Sequence, residues 1–458
     1  MPPLLAFLLF LPAEECATCH SVIQRPGETR TIAPYALWQG SMMAHAGVDP
    51  FWKAQMSWEI AARPEAKAAI EAKCTRCHTP AEKASEGVNC TVCHQIEAAG
   101  LGTKASFTGG FKINREKKIY GPHADPFPMP MQMHTGYEPV ESKHVLESAM
   151  CGSCHTVITH APDGREFIEQ APYLEWLASD FAKEGKTCQS CHMPVEPREM
   201  YIAHRPMGGP FPPTSPRKPF GLHLLIGGNY LVPRMMAETN AGEAATLQRT
   251  SERALENLRK AVRLDARVKW TGGRAVVEVH LENRTGHKLP TAYPSRRMWL
   301  EVVAKDAQGK VLFASGREAP KAGQPHRDVI RNEDEAMVWE AVMADAGGAP
   351  THTLLTAAQY GKDNRILPRG FRLGDWPVGP VGVGGDGNFR GGSDTVIYDV
   401  AMGAKPARVE VRVWYETIKP EHGSVIAGGE SAEMRAFAAL YAKHRAAALM
   451  SETVVQAP

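Results

Sequence analysis

The chain has 458 residues, room for two or three domains, and 43% of them are hydrophobic, the balance of a globular protein. A formal net charge of +2 gives no strong pull toward nucleic acid or an anionic membrane, which excludes functions built on such a pull. Proline (35) and glycine (41) are abundant and aromatic residues make up only 7%, pointing to many loops and to a core not built mainly from aromatic side chains.

Residues 1–13 contain an apolar run at 4–11, far shorter than the roughly 20 residues that cross a bilayer as a helix. The run resembles the h-region of an export signal, with Leu11-Pro12-Ala13 as a weak cleavage site. A basic stretch does not precede it, as expected of a truncated start. No later segment is apolar enough to span a membrane.

From Cys16 onward come five copies of Cys-x-x-Cys-His, which use all ten cysteines. They are Cys16-Ala-Thr-Cys19-His20, Cys74-Thr-Arg-Cys77-His78, Cys90-Thr-Val-Cys93-His94, Cys151-Gly-Ser-Cys154-His155 and Cys188-Gln-Ser-Cys191-His192. A disulfide framework gives no reason for a histidine after every second cysteine. Zinc ribbons need two pairs per metal, and an odd number of pairs leaves one over. Iron–sulfur proteins favour a clustered run instead. The spacing is that of covalent haem attachment: both cysteines form thioethers, and the histidine supplies one axial imidazole. Five haem c groups are therefore expected, in a loop-rich, mainly helical domain over residues 14–240. Short helices are expected near 64–74 and 171–183, and the closeness of Cys74 to Cys90 predicts that motifs two and three are near neighbours.

A low-spin haem needs a second axial ligand, usually His or Met. Up to Tyr230 there are seven histidines outside the motifs, more than five haems require. His45, His144, His223, His204 and His134 are the candidates, His134 sharing its segment with Met129, Met131 and Met133. His123 and His160 read as supporting or solvent-facing. His287 lies in a Gly/Pro-punctuated loop at 283–297, where spacing alone suggests a surface histidine. His326, His352, His422 and His444 read as solvent-facing.

A Pro/Gly-rich stretch at 205–217 follows the last motif. Residues 241–265 show helical spacing through Leu247, Ala254, Leu255, Leu258, Ala261 and Val262, a connecting helix. Over 266–430 the period becomes two: Ala275, Val277, Val279 and Leu281; Val396, Tyr398 and Val400; Val409, Val411, Val413 and Tyr415. With a hairpin turn at 306–309, this predicts a β-sandwich-like domain. Residues 431–458 read as a closing helix and tail. The G-x-G-x-x-G match at 382–387 has no strand before it and no helix after it, so it is a loop rather than a dinucleotide site. The fold class is α+β: a multihaem domain, then an all-β domain with a C-terminal helix.

The blocks at 87–94, 148–155 and 188–194, with 223–229, 283–297 and 362–370, resemble those of exported bacterial multihaem (pentahaem) cytochromes c. That group is related in haem arrangement to the tetrahaem cytochrome and hydroxylamine oxidoreductase of ammonia oxidisers. The resemblance implies haems in stacked, alternately parallel and perpendicular pairs, and it implies His287 as a ligand through the Gly-His-x-x-Pro-Thr loop. It also implies haem attachment outside the cytoplasm, hence a soluble periplasmic or extracellular protein.

The expected function is electron transfer, one electron per haem, between other redox proteins. A quinol-oxidising membrane complex is expected on one side and a terminal reductase or extracellular acceptor on the other. An alternative is an oxidoreductase acting on a small nitrogen or sulfur compound at one open-site haem, although no Cys-x-x-Cys-Lys motif marks it. A further alternative is self-association as a subunit of an extracellular cytochrome filament.

Overall fold

The computed structural model describes residues 10–81, 83–161 and 163–457. Most of the apolar run read as an export signal lies outside them. Among the described residues no helix is long and apolar enough to cross a membrane.

The chain forms two compact units. The first takes the described residues up to Cys154, together with Lys186–Gly227 and Val232–Thr250. The second takes His155–Gly185, Gly228–Leu231 and the described residues from Ser251 onward.

The first unit is a set of short helices joined by long loops, and its apolar clusters are small. One holds Ile23, Ile32, Ala33, Leu37, Met200 and Phe220. Another holds Ala13, Trp38 and Ala44 with Cys90 packed against it. The Trp38 indole donates to the Val88 carbonyl at 2.9 Å. Polar side chains set the helix starts: Asp49 accepts from the amides of Phe51 and Trp52 to open the helix Pro50–Ala62.

The second unit is built on two sheets. The smaller has β1 (Val262–Thr271), β2 (Arg274–Asn283), β5 (Val329–Ile330) and β8 (Ser393–Ala401), in the order β5-β8-β2-β1. The larger has β3 (Arg297–Lys305), β4 (Val311–Ser315), β6 (Val338–Ala344), β7 (Gln359–Asp363), β9 (Arg408–Glu416) and β10 (Ala448–Gln456). Its order is β7-β6-β3-β9-β10, with β4 also paired to β3. The alternation foreseen from sequence is what these strands bury: Val277, Val279, Leu281, Val396, Tyr398, Val409, Val411 and Val413 are at most 1% exposed. Each such Val or Leu stabilises the fold by about 1.5–3 kcal/mol. Strand β10, at one edge of the larger sheet, lies beside β1, at an edge of the smaller.

Charged groups are buried here as well, several of them in pairs. Lys288 Nζ sits 2.5 Å from Asp363, whose carboxylate also takes Arg365 at 2.7 Å. Burial would raise the Asp363 pKa, but Arg365 and Lys288 outweigh it and hold the carboxyl below its ordinary value. Glu340 is likewise held by Lys362 at 3.2 Å and Lys419 at 3.4 Å.

Three boundaries differ from the sequence reading. Residues 155–185, assigned there to the haem domain, belong to the β unit: Asp180 N–H donates to Arg369 O at 2.9 Å, Arg372 N–H to Ala178 O at 2.8 Å, and Tyr360 Oη–H to Glu169 O at 2.6 Å. The connecting helix, Ala244–Ala261, runs straight into β1 with no linker. The C-terminal helix, Ala432–His444, is opened by Ser431 accepting from Met434 N–H at 3.1 Å and is followed by a strand rather than a tail. That strand is β10, and it completes the sheet beside β9. His326 and His422, read as solvent-facing, are buried: the His326 side chain is 4% exposed and His422 is fully enclosed.

Candidate functional site

The motifs lie on short helices or their ends. Positions i, i+3 and i+4 share one helical face, so the spacing places both sulfurs and the imidazole on one side. Motif one occupies Ala13–His20, motif two ends Lys67–His78, motif three is Cys90–Gln95 and motif five is Cys188–His192. Motif four begins in Ser148–Gly152 and continues as a turn. Asn89 accepts from Val92 N–H at 3.1 Å and Thr187 from Ser190 N–H at 3.4 Å, which fixes where motifs three and five start. None of the ten cysteines is in a disulfide, so all are available for thioether bonds.

Four motif histidines are oriented through Nδ1. His20 donates to Ile202 O at 2.8 Å, His94 to Tyr120 O at 2.6 Å, His192 to Ile226 O at 2.5 Å and His78 to Ala46 O at 3.3 Å. A carbonyl can only accept, so the proton is on Nδ1 and the lone pair on Nε2, the tautomer a metal-bound imidazole needs. Burial lowers the pKa of His20 and His94 and keeps both rings neutral. The fifth, His155, is exposed, and the boundary between the two units falls just before it.

The candidate second ligands separate by what their nitrogens do. His223 donates from Nδ1 to Gly221 O at 2.9 Å, leaving its lone pair on Nε2, and burial brings its pKa down to about 4. Its ring centre lies 6.2 Å from that of His94, with the planes 24° apart. Two imidazoles bonded at about 2 Å to opposite sides of one metal ion have ring centres about 6 Å apart, so this pair has ligand-pair spacing. His144 is different: Nε2 donates to Ile96 O at 2.8 Å and Nδ1 meets Ser142 Oγ at 2.7 Å. Both nitrogens are engaged within the protein.

His45 is buried, and its Nε2 donates to Gln39 O at 3.0 Å, which puts its lone pair on Nδ1. His204 is tied by its backbone N–H to Cys19 O at 2.9 Å, beside motif one. His134 lies on the surface helix Met129–Thr135, 3.2 Å from Glu15, with Met129 and Met133 exposed. His287, in the second unit, donates from Nδ1 to Lys288 O at 2.9 Å. Its loop is pinned by Glu175, which accepts from Lys288 N–H at 3.1 Å. His123 is half-buried, and exposed His160 faces Glu166 at 3.6 Å.

Two features carried no sequence signal. Trp52 stacks on His78, ring centres 4.6 Å apart and planes 10° from parallel. Sulfurs of different motifs also meet: Cys90 with Cys16, Cys77 with Cys154 and Cys151 with Cys188. Helical spacing within a motif is local, whereas these contacts depend on the tertiary path of the loops.

No protein-family model matches the sequence, and no curated protein does. Among solved structures the chain is similar to a penta-haem cytochrome c552 from Thermochromatium tepidum, with a TM-score of 0.60 at 17% identity. The match covers 98% of this chain and 99% of that one. The fold of this chain is therefore that of a multihaem cytochrome.

Proposed function

We propose that the chain is an exported c-type cytochrome that passes electrons between redox partners through five covalently attached haems. The observation that carries this reading is that the motif sulfurs are free of disulfides, while four of the motif imidazoles are locked in the tautomer that offers Nε2 to iron. When bound, haem iron supplies one-electron exchange between its ferric and ferrous states. The protein's part is attachment, orientation and burial. Cys16 and Cys19, Cys74 and Cys77, Cys90 and Cys93, Cys151 and Cys154, and Cys188 and Cys191 would form the thioethers. His20, His78, His94, His155 and His192 would bind iron on one side. His223 would bind opposite His94, and the carbonyls of Tyr120 and Gly221 hold both rings in place. His45, His134, His204 and His287 are the remaining candidates for second ligands, one for each of the other four irons.

The proposed partners are other redox proteins, such as a quinol-oxidising complex or a terminal reductase. Intact-mass spectrometry of the exported protein, with a pyridine haemochrome assay, tests the reading. Five haems per chain are expected. A chain that matures with none, or with disulfides within its Cys-x-x-Cys pairs, would refute it.

A further inference from the structure

His287 stands in a loop of the β unit that is held from several sides. Its ring donates from Nδ1 to Lys288 O at 2.9 Å, with Thr285 Oγ 3.2 Å from the same nitrogen. A carbonyl can only accept, so the lone pair of the ring is on Nε2. Asn283 Nδ2–H donates to His287 O at 2.8 Å and to Ile366 O at 3.0 Å. Beyond it, Leu289 and Ile366 exchange N–H and carbonyl, at 2.9 Å each way. Gly286 lets the loop lie close to Trp176 and Phe181: a Cβ there would come within 3.2 and 3.3 Å of them.

A buried carboxylate completes the hold. Glu175, on the helix Pro172–Leu177, accepts at Oε2 from Lys288 N–H at 3.1 Å and from the Thr291 hydroxyl. One oxygen thus clamps the loop on both sides of Leu289 and Pro290. Glu175 Oε1 meets Arg365 at 3.1 Å, and Arg365 makes a two-pronged bond to Asp363, 2.7 Å for each arm. Asp363 in turn accepts from Lys288 Nζ at 2.5 Å, which closes the circuit on the residue where it began. All four side chains are at most 5% exposed, and their two negative and two positive charges balance. Apolar side chains in place of such a group commonly cost no stability, so the geometry it imposes explains its presence better than stability does. That geometry is the placing of Lys288, whose carbonyl orients the His287 ring.

We propose that Glu175 is a positioning residue for an iron ligand: through Lys288 and Thr291 it fixes the plane in which His287 presents Nε2 to a haem iron. This rests on the five-haem reading above, with His287 as one of the second axial ligands. A hydrogen-bond partner behind a ligating imidazole sets its tautomer and orientation, and loss of such support typically lowers metal affinity or activity about 10–100-fold. It is also one of the means by which a protein tunes haem iron. The low-spin ferric signal follows the angle of the imidazole plane, so a misplaced ring is read in the spectrum.

EPR of the oxidised holoprotein tests this. His287→Ala should remove one low-spin signal and so mark its haem. Glu175→Gln keeps the size of the side chain and removes its charge; the same signal should shift its g-values while the other four stay in place. The midpoint potential of that haem should move with it. Thr291→Val, which takes away one hydroxyl without a change of charge, should shift the same signal by less, and it decides alone if Glu175→Gln does not fold. An unaltered spectrum in the deciding variant, or a shift in a signal that survives His287→Ala, would overturn the positioning role. A full set of low-spin signals in His287→Ala would remove His287 from iron and the proposal with it. Fewer than five haems by the pyridine haemochrome assay would instead refute the haem reading, so the two failures are told apart.

Discussion

At the scale of single residues, His223 and His144 are alike in sequence and opposite in structure. His223 keeps the lone pair on Nε2 and has its ring centre 6.2 Å from that of His94, whereas the His144 Nε2 proton is given to Ile96 O. His223→Ala should therefore convert one low-spin haem to high spin and create carbon monoxide binding at one iron. His144→Ala should keep every low-spin signal and lower stability by about 1–3 kcal/mol through two lost buried hydrogen bonds, read by thermal unfolding. A high-spin signal in the His144 variant would put that residue on iron. In the β unit, His326 accepts at Nδ1 from Asn364 at 3.0 Å, so its Nε2 proton goes to Asp386 at 2.7 Å. Asn364 cannot turn over, because it accepts from Glu340 N–H and donates to Val338 O. Next to them Asp394 is enclosed, and burial pushes its carboxyl up to about 6, with Asp386 adding to the shift against His326 and Trp339. A carboxyl raised in the folded state costs stability once the unfolded chain ionises, from about pH 4, and the cost is complete above about pH 6. Asp394→Asn should thus raise the free energy of unfolding at pH 8 by about 3 kcal/mol, seen as a higher melting point, and change little at pH 4. An equal effect at both values would show that the carboxyl is not the cause.

At the scale of elements, the sequence made the period-two strands legible because each buries its own alternate side chains. It did not reveal β10. Residues 448–456 become a strand by pairing with β9, and that pairing belongs to tertiary structure rather than to local pattern. Deleting 448–456 should leave β9 as an open edge, lower the melting point and promote aggregation, visible by light scattering. A soluble, equally stable truncation would mean that the pairing contributes little. The segment 155–185 reads as haem domain in the sequence because it lies between motifs four and five, which local pattern cannot separate from the intervening chain. What ties it to the β unit is Glu175, 3.1 Å from Arg365 and buried with it. Glu175→Ala should cost about 3 kcal/mol, the price of leaving a buried partner underpaired, and differential scanning calorimetry would register it.

At the scale of the whole molecule, the attachment residues were legible because Cys-x-x-Cys-His is a local signature. The sulfur contacts between motifs were not, because they depend on the tertiary path of the loops between them. The closeness of Cys74 and Cys90 in sequence predicts neighbouring haems on motifs two and three; in the structure Cys77 meets Cys154 and Cys90 meets Cys16. The fold likeness to a penta-haem cytochrome extends over 98% of the chain, so the β unit is part of the shared architecture. The central claim is that the irons are six-coordinate electron carriers. Low-temperature EPR of the oxidised holoprotein, with optical spectra taken under carbon monoxide after reduction, tests it most directly. Five low-spin signals and no carbon monoxide shift are the expected result; a high-spin signal with a carbon monoxide adduct would reveal an open iron and contradict it.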